Sequence, residues 1–80
     1  MEEDERVVLF LRRVANAVIL RALNDLRFSK DTYRFITARN FCLGVNKMWY
    51  SSLETWAQLA DLDIQKIQKE ARKRIDVNKR

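Results

Sequence analysis

Eighty residues make one small domain, and the usual scaling gives roughly 5,100 Å² of folded surface against about 13,900 Å² unfolded, enough for one modest core. Hydrophobic residues are 48% and charged residues 34%, with one Gly and no Pro, which disfavours turn-rich all-β and Rossmann-type folds. With no His and a single Cys, the chain excludes a His/Cys zinc site, a Ser-His-Asp triad and an internal disulfide framework.

The net charge of +5 is unevenly placed. Residues 1–5 carry four acids, whereas residues 64–80 carry seven bases against two acids. An acidic start opposite a basic end makes a charge dipole with a candidate nucleic-acid face. A solvated terminal helix would show the same charge run. The acidic start is unlike a secretory signal, which begins basic. The apolar stretch 7–26 is interrupted by Arg12, Arg13, Asn16, Arg21, Asn24 and Asp25, so no membrane span is expected. The unpaired Cys42 suits a reducing compartment, and a cytoplasmic location is expected.

Periodicity predicts four helices and no strands, an all-α bundle. The first helix is expected over 4–27, with Asp4 or Glu3 as its cap. Val7, Val8, Leu11, Val14, Ala15, Val18, Ile19, Ala22 and Leu26 form one wide apolar face. Leu9 and Leu20 fall instead on the polar side, near Arg13 and Asn16. Two readings stay open for them: extra coverage by the rest of the chain, or a homodimer seam built from Leu9, Arg13, Asn16 and Leu20.

Ser29 is the expected cap of a second helix over 30–43, with Tyr33, Ile36 (or Phe35) and Phe41 inward and Gly44 as its stop. Residues 45–50 are expected as a loop whose Met48, Trp49 and Tyr50 either plug the core or form a platform for a base or a partner. Ser51 and Glu54 have capping-box spacing and predict a third helix to about residue 62. Asp63 caps a fourth, in which Ile64, Ile67, Ala71 and Ile75 recur at helical spacing. Residues 1–4 and 76–80 are expected to fray.

Residues 53–72 read either as a helix-turn-helix or as a plain helical hairpin. Leu53, Trp56, Ala60, Ile67 and Ala71 supply the apolar pins that such a unit needs, Ala57 is its small residue, and Leu62 is the apolar residue expected just after the turn. The second helix would expose Gln65, Lys66, Gln68, Lys69, Arg72, Lys73 and Arg74. Gln65, Gln68 and Arg72 suit base edges, while Lys66, Lys69, Lys73 and Arg74 suit phosphates. Against this, the turn carries Asp61 where Gly is usual, and Asp61 and Asp63 lie where DNA phosphates would approach.

No enzyme constellation emerges, and neither a cofactor nor a metal site is expected. Acids 2–5 lack the glycine turn and spaced oxygen ligands of a calcium loop. Cys42, between Phe41 and Leu43, reads as a buried inert thiol.

The stretch Ala38-Arg39-Asn40-Phe41, then Leu53, Trp56-Ala57, Leu59-Ala60-Asp61-Leu62-Asp63, Ile67 and Ala71-Arg72-Lys73 resembles small phage and prophage helical proteins. The resemblance covers roughly residues 16 to 75, and the chain departs from that pattern at Asp61, where those proteins carry Gly. It implies a phage or prophage context and DNA-linked regulation, and it marks no residue as catalytic. The expected function is a small DNA-binding regulator, with double-stranded DNA as partner and a homodimer as the expected state. The alternatives are a protein-binding modulator acting on a host protein through Leu9, Leu20, Trp49 or Tyr50, and a homo-oligomeric structural module.

Overall fold

The computed structural model describes residues 3–78 and holds four helices. They are α1 (Glu3–Asp25), α2 (Tyr33–Leu43), α3 (Lys47–Ala60) and α4 (Ile64–Val77). Among the described residues there is no strand. The all-α expectation holds, and no helix is long and apolar enough to cross a membrane among those residues.

The acids Glu3, Asp4 and Glu5 form the first turn of α1, where they favour the positive end of the helix dipole. Glu3 and Asp4 are therefore helical residues rather than caps. The last turn tightens beyond Asp25, with Leu26, Arg27 and Phe28 each donating to the carbonyl three residues back.

Two expected helix starts are corrected. α2 begins at Tyr33 under Thr32, whose Oγ1 accepts from the Phe35 amide at 3.3 Å. Ser29 instead donates its hydroxyl to Asp31 at 2.6 Å, and its carbonyl accepts from Thr32, so it closes a turn ahead of the helix. Phe41 and Phe35 point inward as expected, joined by Ala38 and Cys42, whereas Tyr33 is 83% exposed and Ile36 is exposed, because they fall on the other side of the helix from Phe35 and Ala38. α3 begins at Lys47, capped by Asn46, whose Oδ1 accepts from the Trp49 amide at 2.9 Å. Residues 47–50 are thus helix rather than loop, and Ser51 and Glu54 lie inside it.

α2 and α3 end in the same way. Gly44 and Asp61 both take the left-handed conformation, at φ 60° and 58°. Each following residue reaches back: Val45 to the Asn40 carbonyl and Leu62 to the Ala57 carbonyl. Asp63 caps α4 as expected, accepting from the Gln65 amide at 2.9 Å. The expected fraying from residue 76 is not seen as far as Asn78, whose amide donates to the carbonyls of Leu26 and Phe28 at 2.6 and 2.8 Å. Residues 1, 2, 79 and 80 lie outside the described residues.

The core joins Ala15, Ile19 and Leu26 at the α1 side to Phe35, Ala38, Phe41, Cys42, Leu53, Ala57, Ala60, Ile67 and Ala71. α3 runs back along the second half of α1, bringing its last carbonyl, that of Ala60, to 3.4 Å from the Asn16 amide. α4 packs mainly on α2 and meets α3 only sparingly, so the plain hairpin reading of α3 and α4 is not what forms.

The broad apolar face expected on α1 is covered only in part. From Ala15 onward it is packed, but residues 3–14 are all exposed, including Val7, Val8, Leu11 and Val14. Length explains this: α1 has 23 residues, about 34 Å, whereas α3 has 14, about 21 Å, and it starts alongside the far end of α1. The first half of α1 therefore projects as an arm.

Candidate nucleic-acid interface

α4 carries five bases and two acids on an amphipathic frame. Ile67 and Ala71 are buried, and Ile64 and Ile75 pack against the core. At 100° per residue, the opposite face holds Gln65, Lys66, Lys69, Arg72 and Lys73 within one arc of roughly 120°. All five are exposed, so the basic residues form a continuous stripe. Asp76 lies on the same stripe near its far end.

Two of the expected contact residues are engaged elsewhere. Gln68 turns to the bundle, and its Nε2 donates to the Leu43 carbonyl at 3.0 Å, tying α4 to the end of α2. Arg74 pairs with Glu70 at 3.0 Å and donates to Asn24 Oδ1 at 3.1 Å, tying α4 to α1. Both side chains hold α4 in place rather than facing outward with the stripe. Their wheel positions were readable from spacing, but their partners lie 25 and 50 residues away. Asn78 adds a third tie and was missed, because a terminal Asn carries no local signal for a distant carbonyl.

The acids at the start of α4 stay exposed. Asp63 is occupied as the cap, and Asp61 holds the left-handed position. The positive stripe begins within the first turn of the helix, at Lys66, and continues to Lys73. Of the apolar residues expected at the corner, Leu53, Ala57, Ala60, Ile67 and Ala71 are buried and Trp56 is half-buried, but Leu62, expected to pack just after the turn, is 43% exposed because its amide closes the α3 end while its side chain faces out.

The other expected interface residues are dispersed. Leu9, Arg13 and Leu20 are exposed, while Asn16 donates to the Arg12 carbonyl at 2.8 Å and to that of Ala60. Trp49 is half-buried against the core, and Tyr50 is exposed beside Gly44. Trp49 and Trp56 wall an open cleft of about 390 Å³, completed by Val18, Arg21, Tyr33 and Arg34. A second cleft of about 430 Å³ lies between the end of α1 and α4. Phe28 stands between Arg27 and Arg34, each guanidinium 4.9 Å from the ring centre.

Among the described residues no group of acidic, Cys or His side chains is placed to hold a metal ion. Cys42 is fully buried, and desolvation pushes its thiol up to about 12 from the usual 9.0; a nearby Arg74 offsets this in part. Such a thiol is not a nucleophile at neutral pH.

Fold and stripe together define a four-helix protein that presents one basic helix. No family model matches the chain, and no curated protein or solved structure compared with it is similar.

Proposed function

We propose that this protein is a small DNA-binding regulator of phage or mobile-element type, with α4 docking in the major groove. The observation that carries this reading is the exposed stripe Lys66, Lys69, Arg72 and Lys73, set on a helix that is pinned on its other side. A helix held in this way loses little freedom when it meets DNA, and the three lysines on one face suit three phosphates. Arg72 and Gln65 are the base-reading candidates. Gln68 and Arg74 act as positioning residues instead.

The test is fluorescence anisotropy of labelled mixed-sequence duplex DNA at about 50 and 200 mM salt. Three phosphate contacts correspond to a log–log salt slope near −2.7, or roughly a fortyfold loss of affinity over that range. Lys69→Ala with Lys73→Ala is expected to weaken binding for every sequence and to flatten the slope by about 1.8. Unchanged affinity in that double variant would remove α4 from the interface.

The uncovered apolar arm of α1 favours a second reading, a protein-binding modulator acting on a host complex. No DNA binding at low salt, together with stoichiometric capture of a purified host protein lost on Leu9→Glu or Leu20→Glu, would replace the first reading with this one.

A further inference from the structure

Every described residue of α1 ahead of Ala15 is exposed, yet this stretch contains Val7, Val8, Leu9, Phe10, Leu11 and Val14. Phe10 is 64% exposed and Val8 53%. A helical arm this short gains most of its stability by covering an apolar face, and among the described residues nothing covers this one.

Within the arm, Val7, Leu11 and Val14 continue into Val18 at spacings of four, three and four, the repeat of a two-helix seam. The seam leads into the cleft walled by Val18 and Arg21. Charge selects what lies on it. The first turn is acidic, with Glu3, Asp4 and Glu5, while Arg12, Arg13 and Arg21 follow two to five turns later. A parallel pair would stack acid on acid. An antiparallel pair sets the acidic turn of each chain against Arg21 of the other, with Arg12 and Arg13 near the two-fold axis and turned away from the seam.

We propose that the arm is a homodimer interface in which two copies of α1 pack antiparallel about a two-fold axis. In that register Val7 meets Val18 of the partner, Leu11 meets Val14, and Asp4 comes opposite Arg21. The same patch serves on both copies, as a closed two-fold pair requires. This seam runs through Val7, Leu11 and Val14, not through the side bearing Leu9, Arg13 and Leu20. It does not depend on DNA binding.

Sedimentation equilibrium of the full chain between about 1 µM and 1 mM is the test. The expected mass at the upper end is twice 9.6 kDa. Leu11→Glu is expected to give a monomer with unchanged helical content in its packed half, because Leu11 is exposed and lies outside the buried core cluster. Arg21→Glu is expected to weaken the dimer about tenfold, and Asp4→Arg added to it to recover most of that loss. Register is read by oxidation: a mixture of the Val7→Cys and Val18→Cys variants forms the mixed cross-link, whereas Val7→Cys alone does not. A monomer throughout, a dimer indifferent to Leu11→Glu, or cross-linking of Val7→Cys with itself would overturn the proposal.

Discussion

At the scale of single residues, Asp61 and Cys42 carry the clearest consequences. Asp61 takes the backbone conformation that Gly44 takes, with the same reach-back hydrogen bonds, but it has a Cβ. That conformation costs a non-glycine residue about 1 kcal/mol or more. Asp61→Gly is therefore expected to stabilise the protein by about 1 kcal/mol, raising Tm by roughly 4–8 °C for a domain of this size. A thermal melt checks it, and an unchanged or lower Tm would refute it. Cys42 gives a pH dependence of definite sign. Its folded thiol holds its proton up to about 12, while the unfolded thiol releases it near 9.0. Below 9.0 both states are protonated and nothing changes. Above 9.0 the unfolded state is favoured by about 1.4 kcal/mol per pH unit, until the folded thiol also ionises. Urea midpoints at pH 8.5 and 10 are expected to fall more steeply for the natural chain than for Cys42→Ala, and equal slopes would contradict this.

At the scale of elements, the ends of the helices were legible where the signal was strictly local. Gly44 stops α2 and Asp63 starts α4, as their positions suggest. Ser29 and Ser51 were false signals. Ser29 closes a turn with Asp31, and Ser51 sits inside a helix already capped by Asn46. A polar residue followed by helix formers is a start signal wherever it occurs, and only the competing partners decide which one is used. The loop expected at the aromatic run 48–50 follows from the same false cap: with Ser51 as the start the run falls in a loop, but Asn46 starts the helix and Trp49 packs as a helical residue against the core. The far end of α4 shows what local signals omit. Asn78 uses its amide on two carbonyls of the α1–α2 connection. Asn78→Ala is expected to cost roughly 1–3 kcal/mol by leaving those carbonyls short of a donor. It should also speed amide exchange in the last turn of α4 while leaving α3 unchanged, and uniform exchange rates would count against it.

At the scale of the molecule, shape follows from unequal lengths. The extents are 48 × 23 × 20 Å, and the radius of gyration is 13.6 Å. A compact chain of this length has about 11.6 Å. The accessible surface of 6041 Å² likewise exceeds the roughly 5,100 Å² expected for the mass. The projecting, fully exposed half of α1 contributes to both differences. If α1 pairs as proposed and α4 binds DNA as proposed, the two copies present two basic stripes related by a two-fold axis. A two-fold protein selects a DNA site of matching symmetry, an inverted repeat.

The sequence alone determined four helices, two of their caps and the position of the basic stripe on α4. Those properties rest on periodicity and on neighbours within one turn, and both are written along the chain. Tertiary structure alone decided that Gln68 and Arg74 face the bundle and that Asn78 is fastened. It also decided that only half of the apolar face of α1 is covered. These outcomes depend on which carbonyls and side chains arrive from far along the chain, and on how long each helix is beside its neighbour. An apolar stripe states that a face prefers cover, but only the packed lengths of the other helices determine how much of it they reach.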